Sequence, residues 1–172
     1  GLQEIERVAQ QHRVPLSLNI EFIAPVPPGN LASSVRVLRS GKYLDHIEAA
    51  LCVNDSVAVS LQAVLGAPRS ADFQRVPEMP ALSADLNSAK SFSRLDKSFP
   101  PFLEHFDFRY TESGFPFSGT GTGSIGGFCK HQSTATGYPA LVALLDAWPP
   151  TALPAYRRPI AASSVHWNIH FH

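Results

Sequence analysis

The sequence predicts an α+β fold built from antiparallel strands, and three observations carry that expectation. A short stretch of helical spacing at the N-terminus is followed by four strand-like runs separated by turn signals. The second half restarts the same kind of pattern. The 172 residues include 15 prolines and 11 glycines, which break long helices and favour short elements joined by turns.

The elements follow in order. Leu2, Ile5, Val8 and Ala9 recur at helical spacing, so Gly1 to His12 reads as the end of an amphipathic helix stopped by Pro15. Leu16, Leu18, Ile20 and Phe22 alternate with Ser17, Asn19 and Glu21, the period of a half-buried strand. Pro25-Val26-Pro27-Pro28-Gly29 is a hard turn. Leu31 to Arg39 forms a second strand, Ser40-Gly41-Lys42 a turn, and Tyr43 to Val53 a third strand. Asn54-Asp55 makes a tight hairpin into a fourth strand, Ser56 to Leu65. Gly66 to Pro101 holds several prolines and serines without sustained periodicity and reads as a linker. Phe106, Phe108 and Tyr110 then alternate as a strand, and Phe128 to His131 continues as another after a glycine-rich stretch. Leu141, Leu144 and Leu145 share one face of a helix over Tyr138 to Ala147, ended by Pro149-Pro150. Ser163 to His172 alternates strictly, with Val165, Trp167, Ile169 and Phe171 opposed to His166, Asn168, His170 and His172.

The halves resemble each other. A helix precedes Asn19-Ile20-Glu21-Phe22 in the first, and a helix precedes Asn168-Ile169-His170-Phe171 in the second. The shared order suggests a duplicated unit. The expected organisation is a first unit over 1–66, a linker over 67–101 and a second unit over 102–172.

Composition narrows the function classes. Hydrophobic residues make up 44% and charged residues 16%, the balance of a packed globular chain. Fourteen basic residues match fourteen acidic ones, so no general field gathers nucleic acid or an acidic membrane. No apolar run approaches the ~20 residues of a spanning helix. The polar N-terminus does not read as a signal peptide, and Met is not the first residue, so processing or a longer parent chain is expected. Cys52 and Cys129 form no motif and read as small buried thiols, which fits a reducing, cytoplasmic compartment. Asn54-Asp55-Ser56 has the form of a glycosylation sequon but reads as a turn.

Four constellations could carry chemistry. Gly121-Thr122-Gly123-Ser124-Ile125-Gly126 matches a dinucleotide-binding pattern, but a strand follows it where that site needs a helix, so it reads as a hairpin. His170 and His172 share a strand face and could chelate a metal, while His166 lies too far along to join them. No further ligand set is clustered, so no metal is expected. Asp146 stands near the end of an apolar helix, against the helix dipole, and burial there would raise its pKa. An acid in so unfavourable a place points to function, with a surface acid as the alternative. Ser163-Ser164 is uninformative alone, and no G-x-S-x-G elbow supports a serine nucleophile.

These pieces join in a family resemblance. Leu16 to Gly29, LSLNIEFIAPVPPG, followed by Val35 to Lys42, VRVLRSGK, resembles the acyl-CoA thioesterase II family. Leu144 to Leu153 is similar to the end of that family's second central helix, and Ser163 to His172 to the strand after it. The resemblance implies a tandem (double) hotdog, antiparallel sheets each wrapped around a central helix. The chain would be incomplete at both ends. It implies hydrolysis of a fatty acyl-CoA thioester to free acid and CoA, a role in lipid metabolism and a homodimer. It carries the catalytic Asp onto Asp146 and the hydroxyl residue onto Ser164, with a third residue, Gln, expected beyond His172.

The implied mechanism is coherent. Asp146 would deprotonate a water that attacks the thioester carbonyl, and Ser164 would hold the water or hydrogen-bond the carboxylate. Leu141, Leu145 and Trp148 are candidate walls of an acyl tunnel, and His166, on the polar strand face, is a further candidate substrate contact. No cofactor is required, and the partners expected are acyl-CoA and a second copy, with no nucleic acid and no membrane. Three alternatives stay open: a non-catalytic acyl-thioester-binding protein, a dehydratase using His166 or His170, and a metal-binding β-barrel around His170 and His172.

Overall fold

A computed structural model of the chain describes residues 1–29, 31–70, 72, 78, 85–92, 100–111, 114–121 and 123–172. They fall into two units, Gly1–Gln74 with Ser163–His172, and Arg75–Ala162.

The first unit is a helix laid on an antiparallel sheet. Helix α1 spans Leu2–Val8 and buries Leu2 and Ile5, which lie three residues apart on one face. It is shorter than the sequence pattern, because Ala9 is already extended and His12 turns the chain with a φ of 63°. Strands β1 (Val14–Phe22), β2 (Ala32–Ser40), β3 (Leu44–Val53) and β4 (Ser56–Gly66) occupy the four runs that alternate in the sequence. Asn54 and Asp55 have φ of 48° and 62°, the geometry of a two-residue turn whose twist matches its strands.

Register explains the core. Ile20 lies opposite Leu61 and Leu18 opposite Ala63, which in turn face Ala49 and Ile47. All six are buried, so one face of the sheet is apolar and lies under α1. The opposite face carries a polar row across the strands: Arg36, Glu48, Gln62 and Asn19.

The last strand, β8, departs from the sequence reading. It covers His166–His170 instead of Ser163 to His172, and it pairs antiparallel with β1, giving the sheet order β2-β3-β4-β1-β8. Residues 163–172, expected in one unit with 102–162, therefore group with the first unit. The physical reason is the open edge of β1, whose backbone groups need partners. In this pairing Asn19 faces Asn168. The asparagines of the two repeated motifs thus meet across the β1–β8 pair.

The second unit has a smaller sheet, β5 (Lys90–Phe92), β6 (Phe106–Tyr110) and β7 (Gly127–His131), in that order. Strand β5 lies inside the stretch read as linker. Three residues are too few to show a period, and their strand form depends on pairing with β6. Most of the rest of the linker lies outside the described residues. Phe108, Tyr110 and Ala147 form the buried core, packed by Phe106, Phe115, Ile125, Cys129 and Trp148. Cys52 and Cys129 are half-buried instead of fully buried. Gly127 permits the β6–β7 pairing: its φ is +150°, and a Cβ there would lie 2.0 Å from the Arg109 carbonyl oxygen. Helix α2 spans Gly137–Asp146 and packs on β7, where the His131 ring nitrogen Nε2 lies 2.9 Å from the Ala140 carbonyl oxygen. Among the described residues, no helix is long and apolar enough to cross a membrane.

Candidate active site

Asp146 is the last residue of α2. The helix ends there because Pro149 and Pro150 follow and lack the N–H that would continue it. Asp146 is itself exposed at the helix end, yet partial desolvation by its surroundings raises its carboxyl above its ordinary 3.8. A raised pKa makes this carboxylate a stronger base, which is the property proton abstraction from water needs.

Trp148, two residues on, is fixed by aromatic contacts. Its ring meets Phe108 at 5.4 Å and 85°, and Tyr110 at 5.4 Å and 74°. Both are edge-on geometries favoured by aromatic quadrupoles. Leu141 and Leu145 are one helical turn apart and remain 43% and 48% exposed. They form an open apolar stripe on α2 and leave the unit's own core to Trp148 and its partners. Nearby Cys129 has its thiol pushed up to about 11, by burial and then by the charge of Asp107, so it stays protonated at neutral pH. Tyr110 is pushed up to about 12, again chiefly by burial.

Ser164 and His166 belong to the first unit, whereas Asp146, Leu141, Leu145 and Trp148 belong to the second. Ser164 is exposed and precedes Val165, whose carbonyl accepts the Phe22 N–H at 2.9 Å. His166 Nε2 lies 2.7 Å from Asn19 Oδ1 and 3.7 Å from Glu21 Oε1. An amide oxygen only accepts, so this contact makes Nε2 the protonated nitrogen. Asn168 Nδ2 donates to the same oxygen at 3.3 Å. His166 is therefore held by Asn19, whose amide oxygen also takes the Asn168 amide. His170 and His172 are exposed, and among the described residues no group of three or more His, Cys, Asp or Glu is placed to hold a metal. The glycine run leads directly into β7, with no helix N-terminus to face a pyrophosphate.

One constellation escaped the sequence reading. Asp45 is 1% exposed and is the buried charged residue of the described core. Its Oδ1 accepts the Ser40 hydroxyl at 2.7 Å, and its Oδ2 accepts the Gln10 N–H at 3.1 Å. Arg13 Nε lies 3.4 Å from Oδ2 as an ion pair. Burial alone would raise the Asp45 carboxyl, but the Ser40 and Gln10 hydrogen bonds and the Arg13 charge outweigh it and hold it below its ordinary value. The available signal was parity: Asp45 shares the core side of β3 with Ile47 and Ala49.

Comparison with known proteins gives these features a setting. Residues 74–172 match the acyl-CoA thioesterase C-terminal domain, and residues 2–66 match the acyl-CoA thioesterase N-terminal domain. No curated protein matches the chain significantly. Among solved structures, a protein of unknown function with a hot dog fold from Alicyclobacillus acidocaldarius superposes with a TM-score of 0.80 at 20% identity, over 96% of this chain and 60% of its own. A protein from Thermobifida fusca assigned as a thioesterase II gives 0.77 at 16% identity, over 99% and 67%. An acyl-CoA thioesterase II from Mycobacterium marinum gives 0.60 at 13% identity, over 85% and 54%. The chain thus spans three fifths of the length of the first of these. These likenesses establish the hotdog fold, as α+β antiparallel sheets with helices. With the C-terminal domain profile matching more than half of its residues, the chain belongs to the acyl-CoA thioesterase family.

Proposed function

We propose that the protein hydrolyses fatty acyl-CoA thioesters, with Asp146 as the general base. The observation that carries the reading is a carboxylate ending the apolar helix α2, in a chain of this family. Asp146 takes a proton from water as the oxygen attacks the thioester carbonyl. The tetrahedral intermediate then collapses, breaking the C–S bond. The CoA thiolate leaves and recovers the proton from Asp146, and the acid is released. Ser164 is the hydroxyl residue that this reading assigns to the reaction. Leu141, Leu145 and Trp148 line the acyl chain's path, and His166 contacts the substrate. The domain reading that goes with this is two hotdogs, 1–66 and 102–172, joined by 67–101, with β5 of the joining stretch added to the second sheet and β8 paired to β1 of the first. The protein acts as a homodimer in lipid metabolism, in the cytoplasm and without a cofactor.

A second reading, hydration of an enoyl thioester, draws on His166 lying 3.7 Å from Glu21. The test is to supply saturated and enoyl CoA esters of graded chain length and follow both thiol release and enoyl absorbance. The proposal expects thiol release from saturated esters and no hydration. Loss of the enoyl absorbance without thiol release would overturn it.

A further inference from the structure

The buried Arg13–Asp45 pair takes no part in that mechanism, yet it fixes a specific surface turn. Arg13 Nη2 donates to the carbonyls of Gly41 at 2.7 Å and Lys42 at 3.2 Å, and to Gln10 Oε1 at 2.8 Å. Gln10 Nε2 donates to Ser40 Oγ at 2.7 Å, whose own hydroxyl is held by Asp45. Gly41 N–H bonds Leu44 O at 2.9 Å, and Ala67 N–H bonds Tyr43 O at 2.9 Å. The backbone from Ser40 to Leu44 is thus held from beneath at almost every residue.

Lys42 and Tyr43 project from this turn, and both are exposed. The Ala67 bond brings in the chain that follows β4, and with it Arg69. Lys42 Nζ lies 5.2 Å from the Tyr43 ring centroid and Arg69 Cζ lies 5.7 Å from it. Neither cation is ion-paired among the described residues. Two cations therefore lie within cation–π distance of one exposed ring. An anion beside them would meet two charged donors, and the ring would stack a planar group. A phosphorylated base satisfies both demands, whereas a bare anion leaves the ring unused.

We propose that Lys42, Tyr43 and Arg69 bind the phosphorylated adenosine end of a coenzyme A thioester. The purine stacks on Tyr43, while the ammonium and guanidinium turn from the ring to the phosphates. The identity of the ligand as coenzyme A rests on the thioesterase reading. The turn is already hydrogen-bonded at Gly41, Lys42 and Tyr43 before the ligand arrives, so little backbone order is lost on binding.

The test is calorimetric titration with adenosine 3′,5′-bisphosphate, inorganic phosphate, ATP and CoA, against the wild-type chain and the variants Lys42→Ala, Arg69→Ala, Tyr43→Ser and Tyr43→Phe. The bisphosphate and CoA should bind with similar affinity. Lys42→Ala and Arg69→Ala should each weaken them roughly tenfold or more, the scale of one charge-assisted hydrogen bond. Tyr43→Ser should weaken them too, and Tyr43→Phe should not. Phosphate binding as tightly as the bisphosphate, ATP binding while CoA does not, or affinities that ignore these substitutions would each overturn the proposal. Folding of every variant is checked by circular dichroism. Binding is read without turnover. A chain that binds the bisphosphate through Tyr43 but releases no thiol refutes the thioesterase reading alone. One that cleaves acyl-CoA with no dependence on Lys42, Tyr43 or Arg69 refutes this proposal alone.

Discussion

Replacing Asp45 by alanine removes the carboxylate but leaves Arg13 buried, its side chain 3% exposed. Breaking a buried pair from one side costs about 3–5 kcal/mol, because the remaining charge is stranded in the interior. The Ser40 hydroxyl and Gln10 N–H lose their acceptors as well. Asp45→Asn keeps an oxygen for one of these donors but sets an amide NH2 against the other and loses the charge, so it too should destabilise. Removing Arg13 together with Asp45 takes away the stranded charge. The double-mutant cycle should therefore show a coupling of at least about 1 kcal/mol. Urea denaturation at pH 7 measures each step. The pair also has a pH signature. Folding lowers the Asp45 carboxyl below 3.8, so its contribution is complete above that value and is lost as pH falls toward the folded pKa. The alanine variant should lack that acid-side loss. A penalty for Asp45→Ala below about 1 kcal/mol, the size of an exposed pair, would refute the reasoning.

Three further outcomes are expected. Gly127→Ala should destabilise the chain by about 1–3 kcal/mol, because the new Cβ meets the Arg109 carbonyl and the residue keeps a left-handed φ. An unchanged urea midpoint would contradict that packing. Asp55→Gly should stabilise by about 0.5–1 kcal/mol, since glycine removes the cost of a positive φ at the second turn position; a lower thermal midpoint would count against the turn geometry. Hydrolysis should rise with pH as Asp146 ionises, with the midpoint of the acid limb above 3.8 because burial raises the carboxyl. A midpoint at or below 3.8 would show that this group does not limit the reaction.

Much of the first sheet was legible because its strands alternate. Leu18 and Ile20 against Asn19 and Glu21 fix both the strand and its buried face, and Asn54-Asp55 fixes the hairpin. The repeat of Asn-Ile-x-Phe was legible as a pattern, but not as the point where β1 and β8 meet. Pairing partners depend on which edge is free, and no local pattern records that. Strand β5 was missed because Lys90-Ser91-Phe92 is too short for a period. Asp146 stood out in the sequence because an acid ending an apolar helix is costly, and the structure places it at the end of α2. The Arg13–Asp45 pair was not, because its members are far apart in sequence and meet only through the register of the sheet. The aromatic contacts of Trp148 were hidden for the same reason.

The central claim is that Asp146 activates the water that cleaves the thioester. Thiol release from a saturated acyl-CoA, compared between wild type and Asp146→Asn at pH 7, tests it most directly. The account predicts a loss of roughly 10²–10⁴-fold in the rate, the scale of a positioned general base, with unchanged circular dichroism and thermal midpoint. A correctly folded Asp146→Asn protein that releases thiol at the wild-type rate would contradict it.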